Sequence, residues 1–351
     1  MNTRSLTGSI LGTAIGDAIG LPYEGLSPCM AMRMLGAPER HRLMFGRGMV
    51  SDDTEHTCMV AQALIASGGD VEAFTRQLAR RLRLWLVSLP AGTGLATLRA
   101  CFKLCLGVSP SNSGVFSAGN GPAMRSPILG AAIEDHELLK HFVRASTRLT
   151  HTDPKAEYGA FAVALAANLA CRDSAVDGHD FLQMLRRQFA EQSSDELLEL
   201  LDQAVESVAR NETPRTFAAS LGLAKGVSGY AYHTVPVAIH AWLSHQKDFR
   251  QAIMEVVRCG GDTDSTAAIV GGIVGCNVGK EGIPAEWLQG LWEWPRTVSW
   301  MERLAEQLHS VEVSGSPTMP LRLSPLGIVA RNSFFLGVVL THGFRRLLPP
   351  Y

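Results

Sequence analysis

Apolar residues recur along most of this chain at the three-to-four-residue spacing of helices that bury one face. The clearest case is 193–210, where Leu197, Leu198, Leu201, Ala204, Val205 and Val208 form a single stripe. Ser193 followed by Glu196 reads as a capping box at its start, and Asp248 with Gln251 as another opening Phe249–Val257. Asp153-Pro154 supplies an N-cap and a first-turn proline for a helix to about Cys171. The same period predicts helices near 55–67, 71–88, 136–148, 236–245, 265–276 and 297–309. Period-two alternation, the mark of a half-buried strand, is nearly absent. The pattern therefore predicts an all-α protein with one compact domain over residues 1–312.

Two stretches break the pattern. Residues 107–122 are rich in Gly, Ser and Asn, and a long loop inside a compact domain tends to be functional. Residues 313–325 are rich in Pro and Ser and read as a linker to an apolar C-terminal extension, 326–351. A docked helix, a strand and an oligomer contact all remain open for that extension. Its apolar run, Leu326 to Leu340, is broken by Arg331 and Asn332 and falls short of the roughly 20 residues of a membrane span. At the other end, Asp17 interrupts the apolar run Gly8–Leu21, which argues against a signal peptide. The expected location is cytoplasmic.

Composition narrows the classes. Of 351 residues, 46% are hydrophobic and 19% charged, against roughly 25% charged in average soluble domains. A disordered chain is excluded. The net charge of -1 offers no broad basic surface for nucleic acid. The seven cysteines have irregular spacing and no C-x-x-C, so neither a disulfide framework nor a zinc knuckle is expected. Glycine, at 34 residues, is concentrated: Gly8, Gly12, Gly16 and Gly20 recur every fourth position and predict a ridge where a second helix approaches closely.

The candidate chemistry lies in short acid-rich segments. Ser51-Asp52-Asp53-Thr54 stands before an apolar helical run. It suits an N-cap with acids complementing the helix dipole, and it also suits a hard cation such as Mg²⁺ or Mn²⁺. Gly260-Gly261-Asp262-Thr263-Asp264-Ser265-Thr266 repeats the theme, with two glycines permitting an unusual turn. An EF-hand is excluded, because Ala267 and Ile273 occupy the positions that need Gly and Glu. One cap needs one acceptor; two clusters with several oxygens each favour metal. Asp52, Asp53, Asp262 and Asp264 together offset two divalent cations, and without them would raise one another's pKa. Asp17 and Glu24 are further acids in an apolar stretch. Residues 117–125 combine turn residues with backbone amides able to cradle phosphate or sugar oxygens. His151 and Tyr230 stand beside turns and are weak signals alone.

Taken in order, GDAIGLPYEG, SDDT, GNGPAMRSP, LTHTDP, SGYAYHT and GGDTDSTAAIVGGIVG resemble the ADP-ribosylglycohydrolase family over about residues 8–280. The resemblance implies a compact, orthogonal all-helical bundle with a binuclear Mg²⁺ or Mn²⁺ site at the bottom of a cleft. By matching position it implies Ser51, Asp52, Asp53, Asp262, Asp264 and Ser265 as metal ligands, with serine at 265 where many members carry threonine. It implies Glu24, Asp52 or Asp53 for acid/base work or water positioning. Gly119, Asn120, Gly121, Met124, His151 and Tyr230 match positions lining the ADP-ribose pocket. The implied activity is hydrolysis of ADP-ribose from protein, with arginine as the expected acceptor and serine or another residue as the alternative. Some similar proteins neutralise an ADP-ribosylating toxin, by binding it as well as or instead of by hydrolysis, which makes such a transferase a second candidate partner. A metal-dependent phosphoesterase is a third reading, distinguished by whether the pyrophosphate of the product stays intact.

Overall fold

The computed structural model describes residues 2–172, 174–189 and 194–345. Its helices run in order: α1 Thr3–Gly20, α2 Pro28–Leu35, α3 Asp52–Ser67, α4 Val71–Val87, α5 Leu95–Cys105, α6 Gly121–Met124 and α7 Pro127–Ala132. They continue as α8 His136–Arg148, α9 Pro154–Ala170, α10 Gly178–Gln188, α11 Asp195–Ala209 and α12 Pro214–Ser220. The last six are α13 Ala231–Ser244, α14 Phe249–Val257, α15 Thr263–Val278, α16 Ala285–Gly290, α17 Val298–Ser314 and α18 Pro325–Arg345. Among the described residues no strand forms, only isolated bridges between loops. The all-α expectation holds.

The centre of the fold is the antiparallel pair α1–α15. A Cβ on Gly8, Gly12 or Gly16 would lie 2.0, 2.1 and 2.0 Å from the carbonyl oxygens of Gly275, Gly271 and Ala267. No side chain fits at these contacts, so the glycine ridge sets the approach distance. Gly20 meets Thr263 in the same way, which aligns the end of α1 with the start of α15. That register brings Glu24 and the Asp262–Ser265 segment to one end of the helix pair. Helices α3, α7 and α17 then pack on α1, while α9, α13 and α14 pack on α15.

Local sequence accounts for most helix ends. Asp135 and Asp153 cap α8 and α9 through Leu138 N and Lys155 N. Asp248 caps α14, accepting from Gln251 N at 3.0 Å. The reciprocal arm of that capping box is not formed, because the Asp248 amide donates to His245 O instead. The expected Ser193 cap lies outside the described residues; α11 starts after Ser194, whose side chain makes no cap bond. Helix α13 begins five residues before the expected 236 and contains Pro236 in its interior. A proline reads as a helix start, yet here it lies one turn in, where few intrahelical bonds are lost.

The C-terminal stretch differs from expectation in length. The apolar count ended at Leu340, but α18 continues to Arg345, and Pro325–Phe344 is long and apolar enough to cross a membrane. Only 17% of that window is buried, and Leu326, Leu336, Leu340 and Phe344 are exposed. Arg331 and Asn332, which interrupt the run, face the protein and are buried. Asn332 Nδ2 donates to Ser88 O at 2.8 Å, and Phe335 and Val338 pack with Leu21 and Met49. The preceding segment is tied down as well: Thr318 N donates to Ile65 O and Gln62 Nε2 to Leu321 O.

Candidate active site

Ser51 is the N-cap of α3, its Oγ accepting from Asp53 N. The cap reading is therefore true, and it leaves most of the oxygens in this segment unexplained. Asp17, fully buried on α1, supplies the anchor. Its carboxylate accepts from Ser51 N at 2.8 Å, Thr54 N at 3.2 Å and Thr54 Oγ1 at 2.6 Å. Burial raises its pKa to about 7 against the effect of those bonds. The sequence singled out Asp17 as an acid in an apolar run; its partners, over thirty residues away, carried no local signal.

The second acidic segment is held by backbone instead. Gly260 and Gly261 adopt φ of +70° and +81°, and a Cβ on Gly261 would lie 1.9 Å from Val227 O. This left-handed turn lets Gly261 N reach Leu26 O, Gly25 N reach Gly261 O, and Asp262 N reach Val227 O. Asp262 Oδ2 then accepts from Asn120 Nδ2 at 2.7 Å. Asp53 Oδ2, across the gap between α3 and α15, accepts from Ser51 Oγ at 2.9 Å and Ser265 Oγ at 3.4 Å.

The result is a floor of crowded carboxylates. Asp52, Asp53 and Asp264 all have pKa values raised well above the ordinary range, first by burial and then by one another and by Asp17, Glu24, Glu55 and Asp262. Asp53 Oδ1 and Asp264 Oδ1 are buried with no hydrogen-bond partner. Orphaned, mutually repelling oxygens beside serine hydroxyls fit hard divalent cations. Among the described residues no three acid, His or Cys groups are already drawn together around a metal position.

A cleft of 560 Å³ opens above this floor. Asp52, Asp262, Asp264 and Ser265 line its base, with Glu24 at the exposed rim. Ser51 and Asp53 lie behind the lining. The facing wall is Gly119, Asn120, Gly121, Met124 and His151. Tyr230 is set apart from the expected group: its backbone pairs with Gly119, but its hydroxyl accepts from Lys155 Nζ at 2.9 Å and it does not line the cleft. A larger cavity of 790 Å³ runs beside residues 317–325, and its walls carry no acid, histidine or cysteine.

Arg125 builds the facing wall. Wholly buried, it donates to Gly121 O at 3.1 Å, Ser146 Oγ at 3.0 Å, Ser146 O at 2.8 Å and Thr150 Oγ1 at 2.8 Å. Thr150 Oγ1 in turn lies 2.9 Å from His151 Nδ1. Burial and the nearby guanidinium push His151 down to about 3, so its ring is neutral near pH 7. Gly119 and Gly121 lack side chains where a Cβ would lie 3.0 and 3.1 Å from that ring. Arg125 stood in the quoted GNGPAMRSP segment, yet no role for it was legible there.

The fold is thus an all-helical bundle with carboxylate clusters at two helix starts, facing a glycine loop across a cleft. The family model for ADP-ribosylglycohydrolase matches residues 2–317, and the chain belongs to that family. It is 26% identical to ADP-ribosyl-[dinitrogen reductase] glycohydrolase of Rhodospirillum rubrum, over 81% of this chain and 89% of that one. It is 27% identical to ADP-ribosylhydrolase ARH3 of Homo sapiens, covering 88% and 94%. An uncharacterized protein of Archaeoglobus fulgidus is 30% identical over 87% and 95%. A solved ADP-ribosylglycohydrolase-related protein complex superposes with a TM-score of 0.64 at 25% identity, over 88% of this chain and 98% of that one. The protein is thus a hydrolase that removes ADP-ribose from ADP-ribosylated substrates.

Proposed function

We propose that this hydrolase releases ADP-ribose from arginine side chains of protein, with two Mg²⁺ or Mn²⁺ ions held by Ser51, Asp52, Asp53, Asp262, Asp264 and Ser265. One observation carries the metal requirement. The cleft is lined by Glu24, Asp52, Asp262 and Asp264 and by no lysine or arginine, and His151 is neutral. A diphosphate-bearing ligand entering that field is repelled until cations offset it. When bound, the cations supply charge neutralisation and orientation of ribose hydroxyls and water.

The chain's own residues divide the remaining work. The Gly119–Gly121 loop, whose Gly119 and Asn120 amides are already bonded to Ser117 Oγ and Gly229 O, leaves side-chain-free space beside the neutral His151 ring for uncharged contacts to the ADP-ribose. Asn120, fixed between Asp262 and Thr234 (2.7 and 3.0 Å), orients Asp262 toward the cleft. Asp53, behind the lining and bonded to two serines, positions rather than transfers protons. Glu24 and Asp52 face the cleft and are placed to exchange a proton with water or the leaving group. The water oxygen adds at the anomeric carbon, the bond to the acceptor nitrogen breaks, and the proton that the water loses passes through Glu24 or Asp52 to that nitrogen. Glu24 at the rim of this acid-lined cleft favours a cationic guanidinium over a neutral serine as the departing group. The seven unpaired thiols suit a reducing, cytoplasmic setting.

The test is to incubate the protein with arginine-, serine- and glutamate-linked ADP-ribosyl substrates, with magnesium and with chelator. Free ADP-ribose with intact pyrophosphate, from the arginine substrate and only with magnesium, is the expected result. Serine-linked release at equal or higher kcat/KM overturns the acceptor assignment, and release in chelator overturns the metal one.

A further inference from the structure

We infer that Arg331, on α18 and beyond the stretch matched by the family model, is a positioning residue that fixes the metal-binding start of α3. The inference rests on the reading above that Ser51, Asp52 and Asp53 hold cations. Those residues are approached through Val50, and one buried ion pair takes both polar groups of its backbone. Arg331 Nη2 donates to Val50 O at 2.5 Å and to Glu293 Oε2 at 2.7 Å. The same Glu293 oxygen accepts from Val50 N at 3.3 Å.

The other nitrogen of the fork grips the far side of the segment. Arg331 Nη1 donates to Glu55 Oε1 at 3.2 Å, one turn into α3. Glu55 is held further by Arg296 Nη1 at 2.8 Å and by Trp85 Nε1 at 2.5 Å. Two glutamates and two arginines balance in charge, and Glu293 Oε1 and Arg331 Nε are the buried atoms of this network left without a hydrogen bond. Arg331 is 2% exposed and its guanidinium lies 4.4 Å from the Phe335 ring centroid, which leaves it one orientation. Asp17 holds Ser51 and Thr54 from the α1 side while Arg331 holds Val50 and Glu55 from the α18 side. The ligand-bearing residues are thus fixed between two clamps before a cation arrives, and the ordering cost of binding is reduced.

The experiment measures Mn²⁺ binding by calorimetry, hydrogen exchange of the metal-free 48–55 segment, and kcat against KM. Arg331→Lys keeps the charge but offers one nitrogen where the network uses two. It is expected to weaken Mn²⁺ binding about tenfold, lower kcat with little change in KM, and speed exchange at 50–53. The charge-balanced double variant Arg331→Met with Glu293→Gln, which leaves no buried unpaired charge, is expected to lose about a hundredfold. Phe334→Leu loosens α18 against Trp292 and Trp294 without touching Val50 and is expected to bind Mn²⁺ as wild type does. Wild-type Mn²⁺ affinity and exchange in Arg331→Lys or the double variant overturns the inference. So does an equal loss in Phe334→Leu, which would make the effect one of general packing. If wild type binds no Mn²⁺, the metal reading fails instead, while the exchange of 50–53 still reports whether Arg331 holds the segment.

Discussion

The two sides of the cleft are built on opposite electrostatics. The floor collects acids whose burial and mutual repulsion push their pKa values up, and two of its oxygens have no partner. The wall collects a buried arginine and a histidine, and there burial pushes pKa values down, Arg125 to about 10 and His151 to about 3. The wall's arginine is fully engaged: Arg125 donates to five acceptors or ring nitrogens and thereby shapes the glycine loop. The floor's acids are not, and their deficit is what a cation would fill. A site can thus be half finished by the fold and half completed by a ligand, and the two halves respond differently to substitution.

Loss of the wall's organiser gives the largest expected effect. Arg125→Met strands the acceptors at Gly121, Ser146 and Thr150 in the interior, and unfolding in urea is expected to show a loss of about 3 kcal/mol or more. A loss under 1 kcal/mol would break the claim that Arg125 builds the wall. On the floor's side, Asp17→Asn keeps the shape but replaces one acceptor oxygen with a donor facing Ser51 or Thr54. Steady-state kinetics should show kcat reduced about 10–100-fold through misplaced ligands, with the secondary structure intact by circular dichroism.

The wall also predicts an acid-sensitive stability. His151 is neutral in the fold down to about 3, whereas an unfolded histidine binds a proton below about 6.5. The unfolded chain therefore holds more protons between those values, and stability falls as pH drops through that window. Wild type should lose about 2 kcal/mol from this group between pH 6.5 and 5, and His151→Gln should lose correspondingly less across the same range. The smallest effect has the opposite sign. Asp264→Asn removes one repelling charge from the floor and should stabilise the metal-free protein by about 1 kcal/mol while abolishing hydrolysis. Destabilisation in chelator would show that the floor is not under electrostatic strain.

What the sequence made legible was whatever is encoded within one helical turn. The apolar period located α8, and the caps Asp153 and Asp248 located α9 and α14, to within a residue or so, while the every-fourth glycines announced a close helix contact on α1 whose partner is α15. The acid clusters were visible because charges in apolar surroundings demand a reason. What stayed hidden spans long separations. Arg331 reaches Val50 across 281 positions and Asp17 reaches Ser51 across 34, and no local pattern records such pairs. Tyr230 shows the converse: a resemblance placed it in the pocket, while Lys155, contributed by the start of α9, draws its hydroxyl away from the cleft.

The central claim is that the carboxylate floor is a cation site on which hydrolysis depends. Calorimetric titration of the wild-type protein with Mg²⁺ or Mn²⁺, set beside Asp264→Ala, tests it most directly. Two ions bound per chain in wild type, with binding lost or reduced to one ion in Asp264→Ala, is the result predicted. No binding to wild type, or identical isotherms for the two proteins, would contradict it.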